Sequence, residues 1–246
     1  MDKLWKHIIL ASAIVLAAIV LASAYTQRYR LQTGTITVTG LGETEFTSDI
    51  IIVKGEISVE NFDSAEGYNS LERDRNKVIA FIEKLGLSKD DISFAMLSSY
   101  KMTNSLYQDG KYIGEQFAGY KLKQEFTIES RDIDAVERVA RELASLMANG
   151  INIEVYEPSY YYSELNALKL DLIAAAAADA RKRASLIATN SGSELGQLTW
   201  STAGVFQITA ATGDEEFSAG GAFNLTSREK KARVTVRAEY KIANNQ

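Results

Sequence analysis

The chain has 246 residues, a net charge of -5, 46% hydrophobic and 24% charged residues, no cysteine and a single histidine, His7. This is the composition of an ordinary globular protein, which sets aside disorder, and the missing thiols set aside disulfides as a source of stability. The acidic balance sets aside nonspecific nucleic-acid binding, which needs a basic surface to displace counterions, so no nucleic-acid partner is expected.

The predicted elements follow in chain order. Behind Lys3 and Lys6, Ile8 to Ala24 form an uncharged apolar run around Leu16. A run of this length sits at the short edge of a membrane crossing, while Ala22-Ser23-Ala24 is a small-x-small cleavage pattern. It reads either as a retained anchor, which is favoured, or as an export signal cut after Ala24. Both readings put the bulk of the chain on the extracytoplasmic, periplasmic side; the anchor reading holds it to the inner membrane through residues 8–24, the other releases it. Residues 1–27 are then the anchor or signal segment, 28–33 a juxtamembrane spacer carrying Arg28 and Arg30, and 34–243 the folded domain.

Strands begin at Thr35 to Thr39. Ile50 to Glu60 alternates clearly, with Ile51, Val53, Ile57 and Val59 against Lys54, Glu56, Ser58 and Glu60, the period of a half-buried antiparallel strand. Asp63 and Glu66 predict a capped helix start, and apolar residues at helical spacing run from Tyr68 to Gly86. Ile92 to Tyr107 and Lys111 to Glu129 predict two long strands around Asp109-Gly110, a dipeptide suited to the positive φ angles of a type I′ turn, with the tip projecting from the body.

Ile133 to Met147 predicts a second helix ending near Asn149-Gly150, followed by a strand through Ile151, Ile153 and Val155. Tyr156 and Tyr160, Tyr161 and Tyr162 flank Pro158, the only proline, and form the densest aromatic cluster. They read as packing at a core edge or as a subunit contact or ligand surface. A third helix, Glu164 to Thr189, carries Ala180, Ala184 and Ala188 four apart, a face with little side-chain bulk that lets another backbone come close. Leu198 to Ala211 and Ala222 to Ile242 predict closing strands around a polar loop, Thr212 to Gly221. The expected class is α+β: an N-terminal transmembrane helix, then a mostly antiparallel sheet domain with three main helices, whose recurring strand-helix-strand grouping allows two lobes.

The chemistry legible in the sequence is sparse. His7 sits at the edge of the apolar run, so histidine triads, histidine bases and the usual zinc sites are not expected in the folded domain. Gly40-Leu41-Gly42 follows a strand but lacks both the third glycine and a helix start of a phosphate loop, and predicts a bulge or tight turn. Asp90-Asp91 and Asp214-Glu215-Glu216 lack the EF-hand spacing and read as solvated acidic loops, and Asn224-Leu225-Thr226 as a chance glycosylation sequon. No catalytic residue, cofactor or metal is assigned; a carboxylate-based hydrolase is the one enzymatic alternative left.

Three groups of residues carry a resemblance. Ile36, Gly40, Gly42 and Glu43 form an opening strand and turn, Gly119-Tyr120 leads a strand through Leu122 and Phe126, and Ala180, Ala184, Ala188, Gly192, Leu195 and Gly196 form an alanine-paced helix and its exit. In this order the chain resembles the SIMPL-domain, or YggE-like, family of exported bacterial proteins. It departs from that pattern at Ser48-Asp49, where Pro-Asp is common, and by lacking a proline before the central hairpin. The resemblance implies an exported α+β domain that self-assembles into rings or hollow oligomers, with a link to oxidative-stress tolerance and no transferable catalytic residues. The expectation is a non-enzymatic homo-oligomer, with Tyr156, Tyr160, Tyr161, Tyr162, Asp109 and Gly110 as candidate contacts. The alternative is an exported binding module for a small molecule or envelope polymer.

Overall fold

The computed structural model describes residues 5, 13–23, 34–212 and 218–243. The first helix, α1, is described over residues 13–23, and Trp5 is helical too. The strands and helices after it are β1 (Thr35–Thr47), β2 (Ile50–Asn61), α2 (Ser64–Lys84), β3 (Ile92–Phe94), β4 (Ser98–Gln108), β5 (Lys111–Ser130), α3 (Ile133–Leu143), β6 (Asn152–Val155), β7 (Ser159–Tyr161), α4 (Leu165–Asn190), β8 (Glu194–Ala203), β9 (Gln207–Ala210), β10 (Ala222–Phe223) and β11 (Glu229–Ala243).

Two expectations about the fold class are corrected. Among the described residues no helix is long and apolar enough to cross a membrane. Leu16 lies on α1 and is exposed, whereas Ile8 and Ala24 fall outside the described residues. The second correction concerns the sheets. β1, β8, β9, β10 and β11 form a mixed sheet in which β10 runs parallel to β9, whereas the three main helices expected after the first are α2, α3 and α4.

The chain divides into two compact units. One comprises Met1–Glu43, Lys169–Phe206 and Arg233–Gln246, the other Thr44–Leu168 and Gln207–Ala232. In the first unit, α4 lays its alanine stripe on the inward residues of β1 and β11, and Ile36, Val38, Ala180, Ala184, Ala188, Ala238 and Tyr240 form one core cluster. Gly40 and Gly42 permit this approach. A Cβ on Gly40 would stand 2.2 Å from the Ala176 carbonyl oxygen, and one on Gly42 2.2 Å from that of Leu172. The pair therefore belongs to a regular strand pressed on a helix, not to the bulge or turn expected from its sequence. The Leu41 N–H donates to Asp179 Oδ2 at 2.9 Å and ties the same two elements together.

In the second unit, β3-β5-β2-β6 form a sheet, with β4 added to β5 and β7 to β2. Ile51, Val53 and Ile57 of β2 and Leu122, Phe126 and Ile128 of β5 point to one side, where α2 and α3 cover them through Leu71, Val78, Ile82, Val136 and Val139. Burying each such side chain is worth about 1.5–3 kcal/mol. Asp63 starts α2 as expected, accepting from the N–H groups of Ala65 and Glu66, and Asp132 caps α3 through the N–H of Ala135. Gly55 leaves room for the Phe126 ring, which a Cβ there would meet at 2.4 Å.

Asp109 and Gly110 take φ of 52° and 75°, as a type I′ turn requires. β2 stops pairing at Asn61, opposite Tyr120, so beyond that point β4 and β5 pair only with each other, from Thr103↔Phe117 to Gln108↔Lys111. This two-stranded arm extends about 20 Å.

Candidate functional site

Pro158 has no N–H to give to a ladder, and the strand that would follow β6 is broken there into β6 and β7, both paired with β2. The break turns Val155, Tyr156, Glu157 and Pro158 into one wall of an open groove of about 410 Å³. The other wall is α3 and the 3-10 turn after it, through Glu137, Ala140, Arg141 and Ala144, and Tyr160 also lines the groove. All of these residues belong to the second unit.

Tyr160 sits opposite Ile51 and sends its hydroxyl to Glu137, donating to Oε1 at 2.9 Å. Burial, then the hydrogen bond to Glu137 and that residue's charge, push the phenol up to about 12. Arg141 Nη1 stands 3.6 Å from the other oxygen of Glu137. Behind the tyrosine, buried Lys230 places Nζ 5.9 Å from the ring centroid and donates to the Ser227 carbonyl at 2.5 Å. Nearby, Arg228 pairs with Asp134 at 2.6 Å and holds that carboxyl below its usual range. Chemically the groove offers an apolar floor, a protonated phenol and a carboxylate engaged by that phenol and by Arg141.

Tyr156 and Tyr160 both border the groove; Tyr156 lies on the sheet face of Glu154 and Glu56, and Tyr160 also lines the space formed by its two neighbours. Tyr161 and Tyr162 pack with Phe46, Leu165, Ile208 and Phe223 around a void of about 10 Å³, no larger than one water, and the Phe46 and Tyr162 rings meet at 4.9 Å. Asp109 and Gly110 form the arm tip and line neither space. Asp49 joins this region to the start of α4 by accepting from the backbone N–H of Ser163 at 2.7 Å and from its hydroxyl.

A second cavity of about 410 Å³ lies on the face of the sheet away from the helices, lined by Glu56, Met96, Tyr100, Lys123 and Glu125 among others. Lys123 bridges to Glu56 at 2.7 Å, and its pKa is raised by that bond. Burial and the charges of Glu154, Glu56 and Glu125 raise Tyr156. Among the described residues no three Asp, Glu, His or Cys side chains group closely enough to hold a metal ion.

Sequence reasoning missed Glu137, Arg141 and Lys230. For the first two it held no signal, because they read as the solvent side of an amphipathic helix. Lys230 did carry one: it shares strand parity with Ala232 and Val234, which marks an inward-facing lysine.

Comparison with curated proteins gave no match. The model of the SIMPL family, a protein of unknown function (DUF541), matches residues 36–240, spanning β1 to β11. The chain belongs to the SIMPL family.

Proposed function

We propose that this protein is exported, makes and breaks no bonds, and works by assembling with copies of itself into a closed oligomer of ring or cage form. The observation that carries this reading is the arm of β4 and β5. Tyr107 and Tyr112, whose rings meet at 6.0 Å, lie near its tip, Leu106 turns to the face opposite its neighbour Tyr107, and Ile113 and Phe117 lie along β5. Tyr107 is 67% exposed and Ile113 58%. A lone two-stranded ribbon is marginally stable in water, and one that is apolar on both faces gains from being covered. An arm that meets a different surface of the next copy makes a head-to-tail contact, the kind that closes rings.

Export is supported by the apolar stretch through α1 and by a fold without thiols. The small-x-small pattern Ala22-Ser23-Ala24 supports cleavage after Ala24. Edman sequencing of the exported protein should then begin at Tyr25. The link to oxidative stress belongs to the same reading, and a strain lacking the protein should survive peroxide less well.

Light scattering on the purified protein tests the assembly. The expected mass is a multiple of the 27.1 kDa chain, reduced by the mass of the segment removed by cleavage. The double variant Tyr107→Ser, Ile113→Ser should run as a monomer with an unchanged circular dichroism spectrum. A wild-type protein that is monomeric at all concentrations would overturn the reading.

A further inference from the structure

We propose that the groove between α3 and the outer edge of β6 docks an extended polypeptide segment of another protein, which adds to the sheet as one more strand. The reading rests on hydrogen-bond parity. β6 pairs with β2 through Asn152↔Ser58 and Glu154↔Glu56, and the Tyr156 N–H continues the ladder to the Lys54 carbonyl at 2.8 Å. In an antiparallel ladder, bonded positions alternate, so residues 152, 154 and 156 turn their main-chain groups toward β2 while Ile153 and Val155 turn theirs away.

β6 ends its sheet, and no second strand among the described residues takes up that outer edge. Just ahead of β6, the chain is tied to the 3-10 turn, where Ile151 N–H donates to the Leu146 carbonyl at 3.3 Å. From Val155 onward the edge borders the groove instead. Backbone donors and acceptors along a trough are the complement of another backbone.

The helix side of the trough fits the same occupant. Glu137, Ala140, Arg141 and Ala144 are spaced i, i+3, i+4 and i+7, so they line one face, with two methyl groups as a shelf for an apolar side chain of the added strand. A helix set beside a free strand edge is the arrangement used in β-strand addition. Glu137 and Glu157 outnumber Arg141 at the rim, which favours basic side chains on the incoming segment. The occupant is therefore an extended stretch that alternates apolar and basic residues.

Fluorescence anisotropy of the full-length chain with a short fluorescein-labelled peptide of alternating valine and lysine tests this. Two further peptides carry N-methyl groups, one at every valine and one at every lysine, so that each loses the donors of one strand edge. One of the two should bind at least about tenfold more weakly than the parent and the other should not. Replacing lysine by glutamate should weaken binding by about tenfold. Ala144→Trp, at an exposed position, should fill the shelf and weaken binding by a similar factor while leaving the melting temperature and the light-scattering mass unchanged. No binding of the parent peptide, or equal binding of both methylated peptides, would overturn the proposal. So would loss of self-assembly in Ala144→Trp, which would assign the groove to a second copy of the chain.

Discussion

Tyr160 shows how one side chain at the groove joins the core to the surface. Its ring covers the sheet beside Ile51 while its hydroxyl is held by Glu137, so ionisation would put a second negative charge against a carboxylate in a partly buried place. The folded pKa of about 12 lies above the ordinary value near 10, so the neutral phenol stabilises the fold fully below pH ~10, and that contribution is lost as pH rises through about 12. An ultraviolet titration of the folded protein should show a late-ionising tyrosine among its twelve. Tyr160→Phe should delete that late step and Glu137→Gln should move it to lower pH. A titration curve unchanged in Tyr160→Phe would remove Tyr160 from this role.

Among the elements, β1 and α4 pack backbone against backbone, and the contact rests on small side chains from both partners. Ala176, Ala180, Ala184 and Ala188 are fully buried, and a Cβ on Gly40 would lie 2.2 Å from one backbone atom of α4 and 2.3 Å from another. Backbone atoms of a long helix cannot swing aside as a side-chain tip does. Gly40→Ala should therefore lower the unfolding free energy by about 1–3 kcal/mol or more in urea titrations, whereas the same change at Gly86, with open space around it, should cost less than the core clash despite its positive φ. The alanine spacing of α4 and the alternation of β2 and β5 were readable because each is a local period that burial then obeys. Segment breaks were not readable. Ala95 to Leu97 separates β3 from β4, and Gly204 to Phe206 separates β8 from β9, yet in both places the residues suit strands and only long-range pairing decides. The parallel partnering of β10 with β9 is likewise nonlocal. At the groove, Tyr156 and Tyr160 were visible as an aromatic cluster, while Glu137 and Arg141, on α3, meet them only through the fold.

At the scale of the whole molecule, acid should weaken both units through the same chemistry. Asp179 in the first unit is lowered by the Leu41 N–H and then by Arg183. In the second unit, Asp134 is lowered by Arg228. Asp49 is raised by burial but lowered further by the hydroxyl and N–H of Ser163 and by Arg131. Each folded carboxyl thus titrates below its unfolded value of about 3.9, so its stabilising effect is fully present above that pH and is lost as pH falls through the lower folded value. All three are largely solvated, which keeps each contribution small, and salt should reduce it further. The melting temperature should accordingly be level from neutral pH down to about 5 and fall below about 4. In the triple variant Asp49→Asn, Asp134→Asn, Asp179→Asn, the starting stability should be lower and the acid slope shallower. If that variant lost stability as steeply as the parent chain, the acid response would have to come from other carboxylates, and the ties from Asp179 to β1 and from Asp49 to the start of α4 would be structural contacts without a share in the pH dependence.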